Sequence, residues 1–377
     1  MKRVYIGIAV FLVLLIAPVA IWFLDKGNEL SVAIIDKTVA KTDYREHEGI
    51  TWLLNYEKFK KENSSYAESE DYYGYSPEKE ESARALPDDY HDYDVIYLAD
   101  TYGVYDEDFN DTKEIHGSKS DKVYGGLEME EWETIAQRLT SDEKSVLIAE
   151  YNTFASPTNA EVRGAVTDYL GLEWDGWTGR YFSDLSLSGM EMPQWVKEEY
   201  SENWPYKGAG FLLVNDITNQ VEVLELDKHV SEEGIRLTFT EQGKEQFDLS
   251  ESPEYQYWFD IVTPKNGAVS LANYDWSLTD EGKKKLKELG IPEEFAAIVE
   301  RSYDQSKSYY FAGDYNDVKG LPPFYQMRGL ASIYKLLKQN DESAFYWSVY
   351  VPVMEEILNR FEEMESAVSK KDNLQYT

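Results

Sequence analysis

Val95-Ile96-Tyr97-Leu98-Ala99-Asp100-Thr101-Tyr102-Gly103 is the stretch that decides the fold. A short apolar run that stops at an acid and a glycine reads as a buried strand running out into a polar loop. The same grammar recurs on both sides. Leu30 to Ile35 stops at Asp36-Lys37-Thr38, and Ser145 to Ala149 stops at Glu150-Tyr151-Asn152. Between these runs the spacing turns helical: Ile50, Leu53, Leu54 and Phe59 within 45–59, then Met129, Trp132, Ile135, Ala136 and Leu139 within 128–139. Pro157 suits the first turn of a third helix that ends at Leu170, with Gly171 as its cap. Strands alternating with helices predict an α/β fold, a mostly parallel sheet with helices on both faces. Right-handed crossovers then bring the strand ends to one edge, where open α/β folds bind ligands.

Farther along, the pattern is less regular. Residues 61–92 are polar, acidic and Tyr-rich, and read as a long excursion. Phe211–Val214 and Val221–Leu226 flank a turn and read as a hairpin. Ala268–Ala272 and Ser308–Phe311 read as two more strands of the parallel set, leading to Asp275 and Asp314. Asp175 to Phe182 is a Gly-punctuated aromatic segment, read as a loop that offers Trp177 and Arg180. A C-terminal α+β extension closes with two helices, about 324–339 and 342–368, the second kinked at Pro352.

At the N-terminus, Met1-Lys2-Arg3 precedes an uncharged apolar run from Val4 to Leu24. As a helix it would be about 30 Å long, enough for a bilayer core. The basic pair would hold that end in the cytoplasm. Ala17-Pro18-Val19-Ala20 admits a cleaved signal peptide, but the apolar run continues past it, which favours an uncleaved N-terminal transmembrane helix. The expected organisation is a signal-anchor over 1–27, an α/β domain over 28–200 and an α+β extension over 201–377. The expected location is the cell membrane, single-pass, with the bulk of the chain extracytoplasmic.

The chain has no cysteine, which excludes disulfides, thiolate metal sites and a cysteine nucleophile. Its net charge of −34 opposes nucleic acid at long range. No G-x-S-x-G, P-loop or G-x-G-x-x-G occurs, and His47, His91, His116 and His229 lack helical metal spacing. No cofactor is expected, unless the acids after the strands hold a divalent cation.

Residues 32–38 (VAIIDKT), 93–105 (YDVIYLADTYGVY) and 149–158 (AEYNTFASPT) resemble the class I glutamine amidotransferase-like superfamily of flavodoxin-type folds, in particular its membrane-anchored bacterial members. The resemblance implies, by analogy, a protein that is non-catalytic or associated with sugar metabolism. It does not carry glutamine hydrolysis, because that needs a cysteine.

The leading expectation is a membrane-tethered protein that binds a cell-envelope glycan. Asp36, Asp100, Tyr102, Glu150, Tyr151, Asn152, Trp177 and Arg180 would form the site. One alternative is a carboxylate-dependent polysaccharide hydrolase with Glu150, Asp275 or Asp314 as catalytic acid or base. Another is a structural subunit that docks on envelope proteins through its aromatic surface.

Overall fold

Among the described residues, fourteen strands form one sheet. They are β1 (Val32–Asp36), β2 (Tyr73–Tyr75), β3 (Ala83–Arg84), β4 (Val95–Asp100), β5 (Ser145–Ala149), β6 (Leu172–Phe182), β7 (Gly210–Asn215), β8 (Val221–Glu225), β9 (Ile235–Phe239), β10 (Glu254–Tyr255), β11 (Phe259–Pro264), β12 (Val269–Asp275), β13 (Glu294–Ser302) and β14 (Ser306–Phe311). They are seen in a computed structural model that describes residues 5, 13, 16–77, 83–109, 120–189, 191–201, 203–339 and 341–361. The order across the sheet is β8-β7-β6-β11-β13-β14-β5-β4-β1-β2-β3, with β12 also on β13, and β9 and β10 beyond it.

The sheet is mixed and mostly antiparallel, which corrects the expected mostly parallel one. Parallel pairing joins β1 to β2, β4 to β5 and β5 to β14. Antiparallel pairing joins β6 to β7 and β11, β7 to β8, and β13 to β11, β12 and β14. The cause lies in the connections. Tyr303-Asp304-Gln305 links β13 to β14, and Asp216 to Gln220 links β7 to β8. Links that short can close a hairpin but cannot carry a parallel crossover. The excursion at 61–92 also contributes, since β2 pairs with β1 through Ile35 and Tyr73. Asp175 to Phe182 is no loop: it is part of β6, bulged between Trp174 and Thr178, where Gly176 takes the φ of 90° that the bulge demands.

The helices of the first half lie where the spacing puts them, but Phe59 falls in a short strand beyond Arg45–Tyr56 and Pro157 precedes its helix rather than opening it. Met129–Leu139 opens with a capping box between Glu128 and Glu131 and buries Trp132, Ile135 and Leu139. Asn159 caps Ala160–Leu170 through its side chain, and Gly171 ends it in the left-handed region. Under the antiparallel strands lies an aromatic core, in which Trp276 is enclosed by Phe211, Phe259 and Phe295 at ring distances of 5.3, 5.6 and 5.2 Å.

The chain forms two compact units. One comprises Met1–Val32, Asp43–Asp71 and Asn316–Thr377; the other comprises Ala33–Thr42 and Tyr72–Tyr315. In the first, helix Arg45–Tyr56 is buried along most of its length. Its Trp52 meets Trp347 edge-on at 5.0 Å. The C-terminal helix widens into a π turn at Tyr346–Tyr350, where the Val351 amide bonds to Tyr346 O. Pro352, which has no amide hydrogen, follows directly, so the expected kink is taken up by a wider turn.

The expected membrane anchor is corrected. Among the described residues no helix is long and apolar enough to cross a membrane. Residues 1–4, 6–12, 14 and 15 of the run lie outside the described residues. The helix at 16–24 ends in polar contacts within the first unit. The Trp22 indole donates to Tyr56 O at 2.8 Å, and Lys58 Nζ donates to Trp22 O at 2.8 Å from a position over the same ring. The Arg328 amide donates to Pro18 O at 3.3 Å. The expected single-pass location, with the chain's bulk extracytoplasmic, falls with the anchor.

Candidate functional site

The ends of β1, β4 and β5 do meet in the second unit. Thr38 joins two of them: its amide donates to Asp36 Oδ1 at 2.9 Å and its hydroxyl to Asp100 Oδ1 at 2.6 Å. Asp100 Oδ1 also accepts the Tyr102 amide at 2.6 Å, and Oδ2 accepts Asn152 Nδ2 at 3.1 Å. Asp36, Asp100, Tyr102 and Asn152 are thus brought together, but Asp36 and Asp100 are buried and tie loops down. Glu150 is buried too. Its Oε1 accepts the Tyr97 hydroxyl, and its Oε2 accepts the Tyr315 amide at 3.1 Å. These bonds hold the strand ends in register rather than presenting the acids to solvent.

Tyr151 continues the polar layer. Its hydroxyl lies 3.3 Å from Thr178 Oγ1 on β6. Burial raises its pKa well above the ordinary phenol value, and Asp260, Asp314 and Asp100 push it the same way. Asp260, on β11 opposite Thr178, was not anticipated. Its Oδ2 accepts the Tyr310 hydroxyl at 2.6 Å, while Oδ1 is buried with no hydrogen-bond partner among the described residues. Burial pushes its pKa up to about 8, against the Tyr310 hydrogen bond that favours the charged form. A carboxyl inside the apolar run Phe259-Asp260-Ile261-Val262 was the available signal.

The other candidates separate. Asp275 ends β12, which pairs antiparallel to β13; it is exposed and caps its own turn by accepting the Ser277 amide at 2.9 Å. The Asp314 amide donates to the Tyr255 hydroxyl at 2.8 Å. Trp177 is a core residue whose carbonyl accepts the Trp174 indole. In the first unit, His47 is buried with Nε2 2.8 Å from Glu68 O. Carboxylate oxygens of Glu46 and Asp317, close enough together to share a divalent cation, lie within 4.8 Å. Arg45 already bonds both, at 2.5 and 2.8 Å.

Arg180 faces the same side of β6 as Thr178, two residues on. Its guanidinium lies between the rings of Phe182 and Tyr257, at 4.8 and 4.7 Å. Nη2 meets Glu191 Oε2 at 3.1 Å, and Nε is buried with no hydrogen-bond partner among the described residues. Phe182 belongs to a small apolar cluster with Leu185 and Met192, on which the partly buried rings of Trp195, Tyr200, Trp204, Tyr206 and Trp258 pack. The sequence offered Arg180, but not these neighbours, which come from residues 195–206 and 258. The clustering Tyr255-Gln256-Tyr257-Trp258-Phe259 was the one local hint.

No protein-family model matches the chain, and no curated protein matches it in sequence. Among solved structures, the chain is similar to a cytoplasmic protein of Salmonella typhimurium, with 13% identity over 86% of this chain and 98% of that one, at a TM-score of 0.37. It is also similar to Agd3, described as a novel carbohydrate deacetylase, with 12% identity, 76% coverage of this chain and a TM-score of 0.34. A third is an exo-beta-1,4-mannosidase of an Opitutaceae bacterium, with 8% identity, 85% coverage of this chain and a TM-score of 0.32. The chain spans 29% of the deacetylase and 36% of the mannosidase. At such scores no activity passes from these proteins to this chain.

Proposed function

We propose that the second unit binds a carbohydrate on the face of β6 and β11 that carries Arg180. One observation carries this reading: the Arg180 guanidinium stacks on Phe182 and Tyr257, and half-covered Trp and Tyr rings pack on the apolar cluster to which Phe182 belongs. Aromatic faces with a few placed polar groups are the make-up of a small-molecule site. A sugar offers apolar ring faces for the aromatics and hydroxyl oxygens that accept from Arg180. Intrinsic fluorescence titration against neutral and acidic mono- and oligosaccharides tests it, since Trp195, Trp204 and Trp258 report locally. Saturable quenching is expected, with Tyr257→Ala weakening affinity about tenfold or more, roughly 1.4 kcal/mol. A flat titration across the set would end the proposal.

A docking role has one observation in its favour. Residues 318–340 hold four cations and no acid in a strongly acidic chain. Their helix, Leu330–Leu337, leaves Leu336 and Leu337 70% and 73% exposed. With those side chains mostly exposed among the described residues, the double substitution Leu336→Lys, Leu337→Lys is expected to change unfolding stability by no more than about 0.5 kcal/mol per site. A larger loss in urea denaturation would mean that this face is covered within the folded chain.

A further inference from the structure

We infer that the carbohydrate bound at Arg180 is an acidic one, and that Glu191 occupies the place of its carboxylate. The inference rests on the carbohydrate reading above and adds the charge of the ligand. Arg180 is 17% exposed and walled by Phe182 and Tyr257, so its planar edge is held in one direction. A stacked, fixed guanidinium is suited to bidentate binding of a carboxylate. The anion it meets is Glu191, whose side chain is 61% exposed. An ion pair with so exposed a partner contributes little to stability and is readily exchanged. Only one contact joins them, at Nη2, and Nε has none. A ligand carboxylate that displaces Glu191 takes Nη2 in its place.

The acidity of the chain does not forbid this. Exchanging one carboxylate for another leaves the charge around Arg180 unchanged. Repulsion from the rest of the surface is screened beyond about 8 Å at physiological salt. The chemistry of the resident side chain also favours a carboxylate over a neutral hydroxyl, because Glu191 is itself a carboxylate in hydrogen-bond contact with Arg180.

The test uses the full chain and two matched probes, oligogalacturonides and the corresponding neutral galacto-oligosaccharides, titrated by calorimetry. Wild type is expected to prefer the acidic series at least tenfold, with the preference shrinking as salt rises. Glu191→Gln removes the competing anion at an exposed position and should tighten acidic binding about threefold or more. Arg180→Lys keeps the charge but loses the planar fork, and should abolish the acidic preference. Equal binding of both series, unmoved by either substitution, would overturn the acidic assignment and leave the carbohydrate reading standing. Failure of both series to bind would overturn the carbohydrate reading itself.

Discussion

Asp260→Asn is expected to make the protein more stable than wild type at pH 9 by several kcal/mol, and by far less at pH 5. The carboxyl of Asp260 is fully buried, and its pKa stands at about 8 against 3.8 for the free group. The folded state therefore holds a proton that the unfolded state releases. Between pH 3.8 and about 8 the unfolded chain binds fewer protons, so folding stability falls as pH rises through that window. Below it both states are protonated and the penalty is absent; above it the penalty is complete. A shift of that size is worth on the order of 5 kcal/mol. Asparagine keeps an acceptor for the Tyr310 hydroxyl and carries no charge to desolvate. Glu48 and Glu355, raised to about 7 and about 8 mainly by burial, act in the same direction. The variant should accordingly flatten the pH dependence rather than erase it. Urea unfolding at pH 5, 7 and 9 measures the effect; a wild type that gains stability from pH 5 to 9 would show that Asp260 folds ionised.

The first half of the sheet was legible because its code is local. An apolar run ending in an acid marks β1, β4 and β5, and Gly171 ends its helix as read, whereas Asn159 rather than Pro157 opens it. Beyond that half, Asp175–Phe182 of β6 was read as a loop, β11 was not read as a strand, and the missing β13 did most to mislead. Glu294-Phe295-Ala296-Ala297-Ile298-Val299 has neither a run of β-branched residues nor strict alternation, so it does not announce itself as β13. Yet β13 pairs antiparallel with β11, β12 and β14, and leaving it out made β12 and β14 look like neighbours in a parallel set. The strand-end acids were found for a sound reason and given the wrong role. Sequence shows that Asp100 and Glu150 end strands; it cannot show that Thr38, Asn152, Tyr97 and Tyr315 already take their oxygens. Arg180 is the converse. Its aromatic walls come from residues 182 and 257, a pairing set by the antiparallel register of β6 and β11 and invisible until the fold is known.

Glu150 separates a structural acid from a catalytic one, and the structure predicts a structural one. Glu150→Ala removes the acceptor from two buried donors at once, the hydroxyl of Tyr97 and the amide of Tyr315. Each orphaned donor costs about 1–3 kcal/mol, and the cavity adds to that, so a loss of roughly 3–5 kcal/mol is expected. Glu150→Gln preserves one carbonyl acceptor but turns an NH2 toward the other donor, and should cost less, about 1–3 kcal/mol. Neither change reaches Arg180, so carbohydrate affinity of the folded Gln variant should match wild type. A glycosidase carboxylate behaves in the opposite way: its amide substitution spares stability and removes turnover. Denaturant unfolding of the two variants, run beside a ligand titration, therefore reads out the two roles on separate axes. If Glu150→Gln proved as stable as wild type, the hydrogen bonds from Tyr97 and Tyr315 would not be what holds the end of β5 in place, and the acid would return as a candidate for chemistry.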